Sequence, residues 1–307
     1  MRNLLAGLGV CLFAISAIAE TNSTVNTINI LAAENAWLAK AVSIADQIDN
    51  ENGLRIIPML GAGSVQALRD LSQIQSIDAA IVSSDSLIYA QTQGLIDTND
   101  KSIKYVATLG SLDVLLVARK AIKNVTGLAG KRIATGPAQS ATFATGELLL
   151  NAYEIPFSRV PKQGESGVQA LLDGQADAVL ILGGLAALTQ LDPAKFHVLA
   201  LAVPPDLQQI YLPTTLNYKN LSGLVAKNES IETVSVSMIL AVHDWARGTS
   251  RYAALQRFER EFSKLQFGPS GNSFAQNVNG WVRHASAQEL LDKNPTTSNI
   301  TPTGGTP

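Results

Sequence analysis

The chain is short of several things that define protein classes. Its 307 residues include one cysteine, Cys11, three histidines and only 16% charged residues, against roughly 25% in ordinary globular chains. One cysteine excludes an internal disulfide and a cysteine-rich zinc site. His197, His243 and His284 are far apart and form no HxxxH, HxxE or HxH pair, so no metal or other cofactor is expected. With 23 basic against 25 acidic residues, the chain lacks the excess of positive charge that neutralises phosphates, which excludes DNA and RNA as partners. A G-x-S-x-G nucleophile elbow is also missing. Asp70, Asp78, Asp173 and Asp177 fall where solvated helix ends and turns account for them, so the chain reads as something other than an enzyme.

Long hydrophobic runs are missing too. Leu4–Ile18 and Val234–Val242 both fall short of the roughly 20 apolar residues of a membrane span. The first follows a positive start, Met1-Arg2-Asn3, and ends in the small residues Ala17-Ile18-Ala19. That is the pattern of a secretory signal over 1–19 cleaved after Ala19. Its removal takes away the only cysteine and places the protein in the periplasm. At the other end, 295–307 is Thr, Pro and Gly without periodicity and reads as a disordered tail.

Between these ends, apolar runs alternate with amphipathic stretches. Strands are expected at Thr27–Ala32, Leu54–Leu60, Ile77–Val82, Asp113–Arg119, Lys131–Thr135, Asp177–Leu182, Phe196–Ala202 and Thr233–Val242. Helices are expected at Ala36–Ile48, from Ser64 through Ile74 with Ser64 as N-cap, and at Leu87–Gln93, Thr142–Tyr153, Val168–Leu172 and Asp244–Leu265. Alternation of this kind implies an α/β architecture with mostly parallel sheets.

Small polar residues stand where expected strands give way to helices: Gly61–Ser64, Ser83–Ser86, Gly136–Thr142 and Gly183-Gly184. In open α/β sheets, ligands bind beyond the carboxyl ends of the strands, where helix N-termini offer free N–H groups. Gly61-Ala62-Gly63 has neither the full G-x-G-x-x-G spacing nor a P-loop lysine. The recurrence of such turns in both halves of the chain favours a cleft for one small polar ligand.

Longer segments resemble a known family. Leu54–Gly94 contains a G-S helix start, "DAAIV" and "YAQTQG"; Val114–Leu182 contains "LLVARK", "VTGLAGKRIATG" and "ALLDGQADAVLILGG"; Gly280–Asp292 reads "GWVRHASAQELLD". These are similar to type 2 periplasmic solute-binding proteins, most closely to the TAXI subgroup that serves TRAP transporters. The resemblance implies a two-lobed clamp, with one lobe at 27–109 plus 242–293, the other at 110–241, and hinge strands between them. It further implies capture of a small polar organic solute and delivery to a membrane permease of the TRAP, or alternatively the ABC, type. A sensor or interaction module with a degenerate site is the remaining alternative.

The expected ligand-binding residues are Glu34, Trp37, Gly63, Ser64, Asp85, Gln139, Ser140, Thr142, Gly183 and Gly184. The chain departs from the TAXI pattern at the cleft. Leu31–Trp37 lacks the glycines and paired tyrosines of that group, Gln139-Ser140-Ala141-Thr142 keeps two hydroxyls but loses two glycines, and Leu185-Ala186 replaces Tyr-Pro. These departures count against the acidic ligand usual for the group, and Glu34 disfavours an anion if it points inward.

Overall fold

The computed structural model describes residues 26–217, 221, 223–265 and 273–293; the expected signal at 1–19 and tail at 295–307 lie outside the described residues. The chain opens with β1 (Thr27–Ala32), α1 (Leu38–Ile48), β2 (Arg55–Leu60), α2 (Ser64–Gln73), β3 (Ala79–Ser83) and α3 (Asp85–Thr92), then enters β4 (Ile103–Arg119). A second group follows: β5 (Arg132–Ala134), α4 (Ala141–Ala152), β6 (Ser158–Val160), α5 (Gly164–Leu172), β7 (Ala178–Leu182), β8 (Phe196–Leu199) and β9 (Leu212–Asn217). Strand β10 (Ser230–His243) and helices α6 (Ser250–Phe262) and α7 (Ala285–Lys293) complete it.

The strands run in the order β2-β1-β3-β10-β4-β7-β5-β6, with β8 beside β4 and β9 beside β10. Pairing is parallel within each outer group, β1 with β2 and β3, and β5 with β6 and β7. The centre departs from the parallel expectation, because β10 is antiparallel to β3 and β4, and β4 is antiparallel to β7. Two long strands, 17 residues in β4 and 14 in β10, thus belong to both groups and join them.

Strand alternation builds two cores on opposite faces. Val114, Leu116 and Ala118 of β4, with Ala178 and Leu180 of β7, join the large cluster, while Leu115, Val117, Val179 and Ile181 join the smaller one. A period of two places successive side chains on opposite faces, so a strand covered on both sides must be apolar throughout. That is why "DVLLVAR" and "DAVLIL" are legible as buried strands.

Several elements differ from the sequence reading for identifiable reasons. Asp113–Arg119 is only the second half of β4, since Gly110-Ser111 interrupts its apolar pattern without ending its pairing. The helix expected from Asp244 begins at Ser250, where Thr249 accepts the Tyr252 N–H at 3.2 Å and so fixes the start. Asp78 is buried instead of solvated. It accepts from the Asn29 N–H at 3.0 Å and pairs with Arg251 at 2.7 Å, tying β1 to α6. Burial raises its pKa, and these partners act in the opposite direction. The C-terminal segment packs onto the first group. Trp281 Nε1 donates to the Ser84 carbonyl at 2.8 Å, and the buried Arg283 guanidinium donates to the carbonyls of Val106, Phe274 and Gln276.

Candidate functional site

The N-terminus of α4 lies against the turn that follows β1. Ser140 caps the helix, its Oγ accepting the Phe143 N–H at 3.1 Å, which leaves the Ala141 N–H free to point outward. A helix start of this kind collects unpaired N–H groups and the positive end of the helix dipole, and it favours an anion. The anion is supplied by the chain itself. Glu34 reaches across from the β1 side, accepting the Ala141 N–H on Oε1 at 2.7 Å and Gln163 Nε2 on Oε2 at 2.9 Å. The Ser64 N–H also acts on this carboxylate. Burial pushes the Glu34 pKa up, and the three donors pull the other way without cancelling it.

A second contact joins the same two groups through backbone alone. Gly63, at φ 129° and ψ 159°, and not Ser64 as the sequence pattern suggests, occupies the N-cap position of α2. Ser64 is the first helical residue, and its hydroxyl accepts the Ser83 N–H at 3.2 Å. The Gln139 carbonyl, presented by a left-handed turn at φ 74°, accepts the Val65 N–H at 2.9 Å. A β-carbon on Gly63 would stand 2.4 Å from that carbonyl oxygen. Only glycine combines this backbone conformation with so close an approach.

Asp85 makes the third contact. It starts α3, yet its side chain is wholly buried, and Oδ2 accepts from Thr145 Oγ1 of α4 at 2.6 Å and from Tyr211 OH at 2.7 Å. Burial raises the pKa of Asp85, and that of Tyr211 is pushed well above its ordinary value by burial first and by the neighbouring carboxylate second.

Beside the first of these contacts, and bordered by Glu34, Ala141 and Gln163, lies a cavity of about 510 Å³, within the range of small-molecule sites. Five of the expected residues line it: Glu34, Trp37, Thr142, Gly183 and Gly184. The other five do not. Gly63, Ser64, Asp85, Gln139 and Ser140 are engaged in the inter-group contacts and caps just described. Asn35, Gln163 and Glu165 also line the cavity and were not anticipated. Gln163 follows β6, whose three residues "SRV" carry no apolar run, so the turn that holds it had no strand signal in front of it. Thr145 and Tyr211 had no local signal of any kind.

Among the described residues, no three His, Cys, Asp or Glu side chains form a possible metal cluster, and no helix is long and apolar enough to cross a membrane. Ser286, His284 and Glu259 do meet, with His284 Nδ1 2.7 Å from the Glu259 carboxylate. All three are buried and the Ser286 hydroxyl is bonded to Glu259, so this cluster ties α6 to α7 and presents no nucleophile to a substrate.

Two α/β groups joined by a pair of long strands, with a cavity between them, make a two-lobed fold of the type 2 periplasmic-binding-protein kind. Over residues 32–252 the chain matches the NMT1-like family and belongs to it. Its fold is similar to that of PhnD1 from Prochlorococcus marinus (MIT 9301) in complex with methylphosphonate, at 12% identity and TM-score 0.51 over 87% of this chain and 89% of that one. A lower similarity, TM-score 0.45 at 17% identity over 89% and 76% of the two chains, relates it to the alkanesulfonate-binding protein SsuA from Xanthomonas axonopodis pv. citri bound to MOPS. No curated protein matches the chain.

The raised pKa of Glu34 fixes the sign of a pH effect. The folded state holds the proton to higher pH than the unfolded chain does, so this group stabilises the fold progressively as pH falls from the raised pKa to the ordinary carboxylate value. Wild type is therefore expected to gain stability over Glu34→Gln as pH is lowered through that window, with Asp78 and Asp85 contributing equally to both proteins. Urea denaturation across a pH series checks this; parallel curves for the two proteins would contradict it.

Proposed function

We propose that the protein is an extracytoplasmic solute-binding receptor that captures a small polar organic solute between its lobes and passes it to a membrane permease. The observation that carries this reading is the cavity itself, bordered by residues of both lobes, Trp37 from one and Gly183-Gly184 from the other. Family membership and the two-lobed fold support it. No bond of the solute is broken in this role.

The lobes we assign are 27–109 plus 242–293 and 110–241. On β4 we set the boundary at Gly110, at φ 141°, which pairs with Met238; β4 and β10 shift register between Met238 and Ile239 and again between Leu240 and Ala241. Irregular pairing along this stretch of both joining strands is where a hinge between lobes would bend.

An ABC-type permease is the partner we favour over a TRAP permease. The cleft lacks the glycines and paired tyrosines of the TAXI pattern, and the family matched is the NMT1-like one. Export to the periplasm follows from the expected signal at 1–19.

The test is a thermal-shift screen of the purified protein against a broad metabolite library. A solute that binds only the folded state stabilises it by about 2.7 kcal/mol at a hundredfold excess over Kd, a clear rise in Tm. A flat response across the whole library would overturn the receptor reading.

A further inference from the structure

We infer that the interlobe cavity takes an organic cation, an ammonium or guanidinium compound whose apolar part lies along Trp37 and whose charge faces Glu34 and Glu165. The inference rests on the receptor reading and names its substrate class. Its first support is that the cleft's anion cradle, the N-terminus of α4, is already filled. Glu34 takes the Ala141 N–H at 2.7 Å and is held there by Gln163. An anionic ligand would have to displace a tethered carboxylate or bind beside it, against like-charge repulsion in a site partly withdrawn from water.

The second support is the lining of the space that remains. Two carboxylates border it, Glu34 and Glu165, and among the described residues lining it none is lysine, arginine or histidine. The third is Trp37, which is buried at 6% exposure while contributing to the wall. Indole is the side chain that best attracts a cation through its ring quadrupole, and its body also accepts the apolar part of an amine. Around Glu34, burial already works against the ionised form, and a bound cation supplies the countercharge that this carboxylate lacks. The two acids differ in kind: Glu34 is fixed by three donors, whereas Glu165 is exposed in the first turn of α5, placed to meet the solute at the opening.

Isothermal titration calorimetry of the purified protein tests this with three sets of probes. Choline, agmatine and putrescine are the cations, methylphosphonate, ethanesulfonate and succinate the anions, and glycerol and xylitol the neutral compounds. At least one cation is expected to bind at least about tenfold more tightly than any anion or neutral probe. Glu165→Gln should weaken that binding about tenfold while changing the unliganded Tm little, and Trp37→Phe should weaken it less than Trp37→Leu. Failure of every cation to bind overturns the inference. Binding of an anion or neutral probe in their place also overturns it but leaves the receptor reading standing, because that reading falls only with the flat library screen.

Discussion

Asp85→Ala is expected to lower the unfolding free energy by about 3 kcal/mol. The substitution removes the acceptor shared by Thr145 and Tyr211, and both hydroxyls are fully buried. Each donor left unpaired away from water costs about 1–3 kcal/mol, partly offset because a carboxylate whose ionised form is penalised by burial has gone. Asp85→Asn keeps an acceptor oxygen and discards the charge, so it should cost less than alanine. Tyr211→Phe removes one donor from the same carboxylate and should fall between wild type and Asp85→Ala. Urea unfolding monitored by far-ultraviolet circular dichroism measures the series. An Asp85→Ala protein within 1 kcal/mol of wild type would show that this contact does not hold α3 to α4.

Gly63→Ala is expected to prevent the lobes from closing. The new β-carbon would lie 2.4 Å from the Gln139 carbonyl oxygen and 2.8 Å from the Ser140 α-carbon. These are backbone atoms that cannot swing aside as a side chain would. At φ 129° the alanine also carries backbone strain of about 1–3 kcal/mol. Gly94→Ala is the control: at φ 66° it also bears left-handed strain, though less than at φ 129°, and nothing stands within 4 Å of its added carbon. Both variants should lose stability, and only Gly63→Ala should gain radius of gyration in small-angle X-ray scattering and bind solute at least about tenfold more weakly. Equal scattering from the two variants would remove the Gly63–Gln139 contact from the account of closure.

What was legible in the sequence was whatever leaves a periodic or local trace. The two-sided burial of β4 and β7 is written in "DVLLVAR" and "DAVLIL", and of the four polar turns after strands two, Gly136–Thr142 and Gly183-Gly184, border the cavity. Strand β6 left no such trace, because three residues on the edge of a sheet bury too little to need an apolar run, and Gln163 was hidden with it. Side-chain partners were hidden for a different reason. Asp85 finds Thr145 and Tyr211 at separations of 60 and 126 residues, and Glu34 finds Ala141 across 107. Contacts of that range depend on how the lobes meet, and no neighbouring residue announces them. Asp85 therefore looked like a ligand group when it serves the interface. Asp78 looked solvated although Arg251, 173 residues away, meets it in the interior.

Glu34 shows where the two kinds of information join. The family resemblance set it among the cleft residues, and its inward direction, visible only in three dimensions, turns an acidic neighbour into the occupant of the α4 N-terminus. A clamp that carries its own anion leaves the remaining cavity to a solute of another charge.

A crystal structure of the protein with the solute that binds in calorimetry tests this arrangement most directly. The account predicts the solute in the cavity between Trp37 and Gly183-Gly184, with Glu34 Oε1 still hydrogen-bonded to the Ala141 N–H. An anionic group of the ligand on the Ala141 N–H with Glu34 displaced, or a ligand seated only in the outer groove beside Gln169, Thr189 and Gln190, would contradict it.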